Sequence, residues 1–161
     1  MISKKMRDAL NAQINAEFWS AYLYLSMSLD AENKGLKGIA HWFHKQYEEE
    51  NEHAFKFIHY LQEQLSDVEL KAVAKVQLKW ESALGMFKDT LSHEKEVTKM
   101  IHKLFELAQE EKDYATAGFL QYFIREQVEE EANAQELIDA MSMVEGDKAA
   151  VFMFDGHLAK R

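Results

Sequence analysis

The chain contains no cysteine and no proline, and glycine occurs only six times in 161 residues. Without cysteine there can be no disulfide framework, no thiolate zinc site and no iron–sulfur cluster, so any bound metal must rest on oxygen and nitrogen donors. Without proline, and with few glycines, long stretches are free of helix breakers, which points to an all-helical protein. No run of about 18 apolar residues appears, and the charged start from Met1 to Leu10 lacks the apolar core of an export signal. A cytoplasmic protein with no membrane partner is therefore expected. Cationic charge is also short: 19 Lys and Arg face 28 Asp and Glu, a formal net charge of −9. That balance argues against a nucleic-acid partner, which needs a basic face, and suits a surface that attracts cations.

What is present is a set of long amphipathic segments with carboxylates in the wrong place. In the first, the core positions read Leu10, Ile14, Glu17, Ala21, Tyr24 and Ser28, at steps of three and four that keep side chains on one helix face. The second sets Glu50 midway between Phe43 and Phe57, with His53 one turn later. The third runs Phe87, Leu91, Glu94, Thr98, Ile101, Phe105, Ala108, and the fourth Phe123, Gln127, Glu130, Ala134, Leu137, Met141. Four glutamates thus stand on apolar stripes where leucine or phenylalanine is expected. Burying one unpaired carboxylate is costly, and four facing one another also repel. No Lys or Arg occupies these stripes, which leaves protonation or bound cations as the remedy. Two divalent ions would balance four carboxylates, and one imidazole among oxygen donors favours a transition metal such as iron, manganese or zinc over magnesium or calcium.

Along the chain, Ser3 is placed to cap a helix that stops at Gly35, and a second helix is expected from near Gly38 to about Leu65. From Ser66 to Trp80 the helical period fails, while Val68, Leu70, Ala72, Ala74 and Val76 alternate, as in an extended crossover. A third helix is expected from about Glu81 to Glu111, and a fourth from an Asp113 cap to about Val144, before Gly146. Helices of about thirty residues are roughly 45 Å long, and each key glutamate lies near the middle of its own, so the four meet at one depth. Two hairpins joined by one long crossover give an all-α, antiparallel four-helix bundle. Residues 1–161 then form a single domain, with the bundle over about 3–144, the crossover over about 66–80 and a short C-terminal fifth helix over about 147–158. That last segment carries Val151, Phe152, Phe154 and Leu158. It is too short to be stable alone and is read as a helix used in packing between subunits.

With Glu17, Glu50-x-x-His53, Glu94 and Gln127-x-x-Glu130 in place, the chain resembles the non-haem bacterial ferritins over its whole length. The resemblance implies a ferritin-like bundle that oxidises Fe(II) with dioxygen, or hydrogen peroxide, and stores Fe(III) mineral in a hollow homo-oligomer of 24 subunits. It implies one iron held by Glu17, Glu50 and His53 with Gln127 nearby, a second held by Glu50, Glu94 and Glu130, and Glu50 bridging them. Tyr24 matches a tyrosine beside this site, and Glu49, Glu126 and Glu129 match a third, looser iron site. Symmetric di-iron bundles carry a second Glu-x-x-His on the fourth helix, where this chain has Gln127-x-x-Glu130. Residues 38–65 hold no methionine of the kind that binds haem in bacterioferritins, so no haem is expected.

Blander readings compete for several of these residues. Tyr24 could be ordinary core packing with its hydroxyl on a neighbour. The runs Glu48-Glu49-Glu50 and Glu129-Glu130-Glu131 would usually be solvated faces, and Glu48 and Glu131 are read that way. His41, His44, His59, His93, His102 and His157 have no comparable constellation. Two rival functions are a di-iron oxidase or peroxidase that stores nothing, and a structural bundle without active metal chemistry.

Overall fold

The computed structural model describes residues 2–161. Four long helices, α1 (Lys4–Asn33), α2 (Lys37–Glu63), α3 (Ala83–Glu110) and α4 (Tyr114–Val144), are followed by a short α5 (Lys148–Leu158). There is no strand among the described residues. α1 pairs chiefly with α2, and α3 with α4, so the two hairpins and the single long connection of residues 64–82 are as expected.

The helix starts follow from their caps. Ser3 Oγ accepts from Met6 N–H at 3.0 Å, Ser82 Oγ from Gly85 N–H at 3.1 Å, and Asp113 Oδ1 from Thr116 N–H at 3.0 Å. Each satisfies a backbone donor that the first helical turn leaves without a partner. α1 stops where Gly35 takes φ +75°, with Leu36 N–H bonded to Ala31 C=O at 3.0 Å. The ends of α2 and α3 use the same turn without glycine: Leu65 and Lys112 stand at φ 53° and 55°. A side chain in that left-handed region costs roughly 1–2 kcal/mol.

α2 has no capping side chain of its own, since its N-cap residue is Leu36. Asp155 on α5 takes the role, accepting from Gly38 N–H at 3.1 Å and Ile39 N–H at 2.8 Å. Gly38 permits this approach, because a Cβ there would lie 1.7 Å from Asp155 C=O. The apolar side of α5 is consequently divided. Leu158 is buried and Val151 and Phe154 pack on the chain's own core, Phe154 edge-on to Phe87, whereas Phe152 and Met153 remain exposed.

The crossover is held less by its alternating apolar residues than by polar groups on α1. Only Val76 among Val68, Leu70, Ala72, Ala74 and Val76 is buried, and Leu70 is exposed. Instead Asn11 Nδ2 donates to Asp67 C=O at 3.1 Å and its Oδ1 accepts from Glu69 N–H at 2.7 Å. Farther along, Ser26 Oγ donates to Gln77 C=O at 2.6 Å, and Asp30 Oδ2 accepts from Trp80 N–H at 2.9 Å. An extended chain has no internal partners for its backbone, so α1 supplies them from successive turns.

The core divides into two apolar clusters. One gathers Tyr24, Met27, Phe43, Met86 and Phe87, and the other Leu10, Ile14, Phe57, Ile101 and Phe123. Along every stripe the glutamate falls between a residue of one cluster and a residue of the other, so a polar layer separates them. On α3 the fully buried line is Phe87, Thr90, Glu94, Val97, Ile101, Leu104 and Ala108, with Leu91, Thr98 and Phe105 only half-buried. The stripe is rotated slightly from the expected one, and Glu94 belongs to both.

Candidate metal centre

Glu17, Glu50, His53, Glu94, Gln127 and Glu130 are all buried, at 1, 3, 3, 0, 4 and 6 % exposure. Among the described residues no Lys or Arg pairs with any of these glutamates. Ligand atoms of Glu17, Glu50 and His53 lie within 4.8 Å of one another, and His53 Nδ1 is 3.3 Å from Glu50 Oε2. The other expected set, Glu50, Glu94 and Glu130, is not drawn together to that degree. Its carboxylates turn to neutral donors instead. Glu94 accepts from Tyr24 O–H and, at 3.0 Å, from Gln127 Nε2, and Glu130 accepts from Gln46 Nε2 at 2.9 Å. Glu17 accepts from Gln13 Nε2 at 2.7 Å.

These donors soften the electrostatic cost without removing it. Burial pushes the Glu17 carboxyl well above its ordinary range, and the neighbouring Glu50 adds to the push. Burial and the Glu94 charge do the same to Glu50. Glu94 is raised by burial although Tyr24 and Gln127 oppose the shift, and burial with the Glu94 charge lifts Glu130 to about 7. Tyr24 is likewise raised, by burial and then by Glu94, which keeps its hydroxyl a donor. The group therefore holds protons or cations near neutral pH. Its donor set, four carboxylates and one imidazole, fits divalent transition-metal ions, and Gln46 Oε1 is the one buried side-chain polar atom left without a partner among the described residues.

A second convergence lies beside the first. Glu49, His53 and Glu126 also bring ligand atoms within 4.8 Å of one another, with His53 Nε2 3.8 Å from Glu126 Oε2. Glu49 and Glu126 are half-buried, whereas Glu129 is exposed and outside both groups. Of the residues read as solvated, Glu48 is exposed and paired with Lys45 at 2.7 Å. Glu131 differs: it is half-buried and accepts from Thr98 Oγ1 at 2.6 Å.

Residues 7–144 match the family model described as a ferritin-like domain. The chain belongs to the ferritin family. It is similar to a bacterial non-heme ferritin of Bacteroides fragilis (strain 638R), 42% identical over 161 residues that cover all of both chains. A bacterial non-heme ferritin of Staphylococcus aureus (strain MRSA252) is 36% identical across the whole of this chain and 97% of that one. Among solved structures, the open pore ferritin of the archaeon Archaeoglobus fulgidus superposes with a TM-score of 0.99 at 45% identity, covering 100% of this chain and 99% of that one. The ferritin-like bundle is thus the fold of this chain, and no described helix is long and apolar enough to cross a membrane.

Several contacts of this ferritin-family chain escaped the sequence reading. Gln46 stands between Phe43 and Glu50 on the α2 stripe, and Gln13 one turn before Glu17; both were legible as polar residues on buried faces. His93 is largely buried, with Nε2 2.8 Å from Ser20 Oγ and its ring against Trp19 and Tyr24. Burial lowers it to about 4, so it is a neutral packing residue. Arg161 reaches Glu49, its Nη2 donating to Oε2 at 2.9 Å, a contact no local spacing announces.

Proposed function

We propose that the protein is an iron-storage ferritin with ferroxidase activity. Two Fe(II) ions are the substrates, one taken by Glu17, Glu50 and His53, the other by Glu50, Glu94 and Glu130, with Gln127 and Tyr24 orienting Glu94. The observation that carries this reading is the convergence of four helices on buried carboxylates that no Lys or Arg neutralises. Two Fe(II) charges balance four glutamates. Each Fe(II) gives one electron, so a pair supplies the two electrons that reduce dioxygen, with two protons, to hydrogen peroxide. The resulting Fe(III) pair carries more charge than the glutamates offset, which favours hydrolysis and departure toward a mineral.

Glu49, Glu126 and Glu129 form a third, outer iron site in this reading, with Glu129 approaching by rotamer change. The similarity to bacterial non-heme ferritins supports storage without haem. A 24-subunit shell is the proposed assembly, with the exposed Phe152 and Met153 of α5 available for contacts between subunits. A cytoplasmic location accords with this role.

The test is aerobic addition of Fe(II) at well over a hundred ions per assembly, followed by size exclusion with protein and iron measured in the same fractions. Iron travelling with a very large shell at many ions per chain is the expected result. Iron that stops near two per chain on a small oligomer would overturn storage and indicate a di-iron enzyme.

A further inference from the structure

The two carboxylate groups differ in one respect that the proposed function does not use. Among the described residues the inner glutamates have no Lys or Arg partner, whereas Glu49 of the outer group already has one. Arg161 Nη2 donates to Glu49 Oε2 at 2.9 Å, and its Nη1 donates to Trp42 C=O at 3.4 Å. The guanidinium carbon lies 4.8 Å over the Trp42 ring, and His41 Nε2 stands 3.0 Å from the Arg161 carbonyl oxygen. Side chain and backbone of this residue are therefore both fixed to α2. The placement is built from farther back, since Asp155 seats α5 on the start of α2 through Gly38 and Ile39, and the bare Cα of Gly38 allows the approach.

We infer that Arg161 is a built-in competitor for the outer metal site: its guanidinium occupies Glu49, and a cation binding across Glu49, His53 and Glu126 must displace it. The proposal rests on the outer-site reading given above. Its physical basis is that one carboxylate, half-buried and 2.9 Å from a planar guanidinium, cannot hold two cations at full strength. The pair is partly solvated, so the competition is modest, of the size of an exposed ion pair. Its effect would be to keep the outer group weaker than the inner one, so that iron fills the inner positions first and remains exchangeable outside. Arg161 touches no reacting atom and acts through Glu49, which makes it a positioning residue.

The test is anaerobic Fe(II) titration of the assembled full-length protein by calorimetry, with equilibrium dialysis to count ions. Wild type, Arg161→Ala and the double variant Arg161→Ala/Glu126→Ala are compared. Asp155 keeps α5 seated in all three, and the readout is binding without turnover. Expected is a third ion per chain that binds about fivefold more tightly in Arg161→Ala and is lost in the double variant, with the two inner ions unchanged. A third ion of unchanged affinity in Arg161→Ala would overturn the competitor role while leaving the outer site standing. No third ion in any of the three, with two inner ions present, would overturn both.

Discussion

The inner and outer carboxylate groups share His53 but solve the same electrostatic problem in opposite ways. Glu17, Glu50, Glu94 and Glu130 are buried on four different helices with no Lys or Arg partner among the described residues: Gln13 donates to Glu17, Tyr24 and Gln127 to Glu94 and Gln46 to Glu130, while Glu50 stands beside His53. Glu49 and Glu126 are half-buried on two helices, and Glu49 is paired with Arg161. Depth explains the difference. Water and a guanidinium relieve the outer group cheaply, whereas desolvation leaves the inner one in need of protons or metal. A site that must attract ions is poised by being unsatisfied, and one that must exchange them is softened by having a substitute.

The sharpest way to break this comparison is to remove one carboxylate from each side. Glu50→Ala should slow the initial phase of Fe(II) oxidation by more than about a hundredfold, since both inner positions lose a donor, while size exclusion shows an intact assembly. Glu126→Ala should slow it by less than about tenfold. Equal losses in stopped-flow traces would refute the division of labour.

Stability of the metal-free protein should move the other way. Replacing the unneutralised Glu50 by Leu at pH 8 should stabilise the apoprotein by about 1–4 kcal/mol, as for other buried charges exchanged for apolar side chains. Glu49→Leu, which breaks only a half-exposed ion pair, should shift it by less than about 1 kcal/mol. Thermal or urea unfolding with a chelator present reads both.

A smaller effect follows from proton linkage. Glu130 is raised to about 7 by burial and by Glu94, so its folded form binds more protons than the unfolded chain between its ordinary value of 4.5 and about 7. The stability it contributes is full below 4.5 and lost as pH rises through about 7. Glu17, Glu50 and Glu94 are shifted in the same direction. The melting temperature of the metal-free protein should therefore rise as pH falls from 8 to 7, where unfolded His93, with an ordinary value of 6.5, is still mostly neutral and opposes the rise little. Glu130→Gln should flatten the rise, and a melting temperature that falls over this window in the wild type would contradict the assigned burial. The smallest expected change is a control remote from both groups: Lys112→Gly relieves the left-handed turn at φ 55° and should add about 1 kcal/mol without altering iron binding.

The parts legible in the sequence were those set by local periodicity. A residue's face on a helix is fixed by steps of three and four, so Leu10, Ile14, Glu17, Ala21 and Tyr24 could be assigned to one buried line before any fold was known, and all are buried. Caps such as Ser3 and Asp113 are equally local. The helix ends near Leu65 and Lys112 were placed as well, but their left-handed turns were not legible, because neither position carries the glycine that favours that conformation. The crossover's length was legible, but its anchoring was not, because Asn11, Ser26 and Asp30 act on backbone groups 50 or more positions away.

The sequence by itself determined the all-helical class, the two hairpins and the presence of misplaced carboxylates at one depth, because each depends on spacing within a single segment. Tertiary structure alone decided which donor meets which carboxylate, that Asp155 caps α2, and that Arg161 rests on Trp42 and holds Glu49. Those contacts join residues up to 119 positions apart. They exist only because the packing of whole helices brings the chain's distant turns within the 3 Å or so over which a hydrogen bond acts.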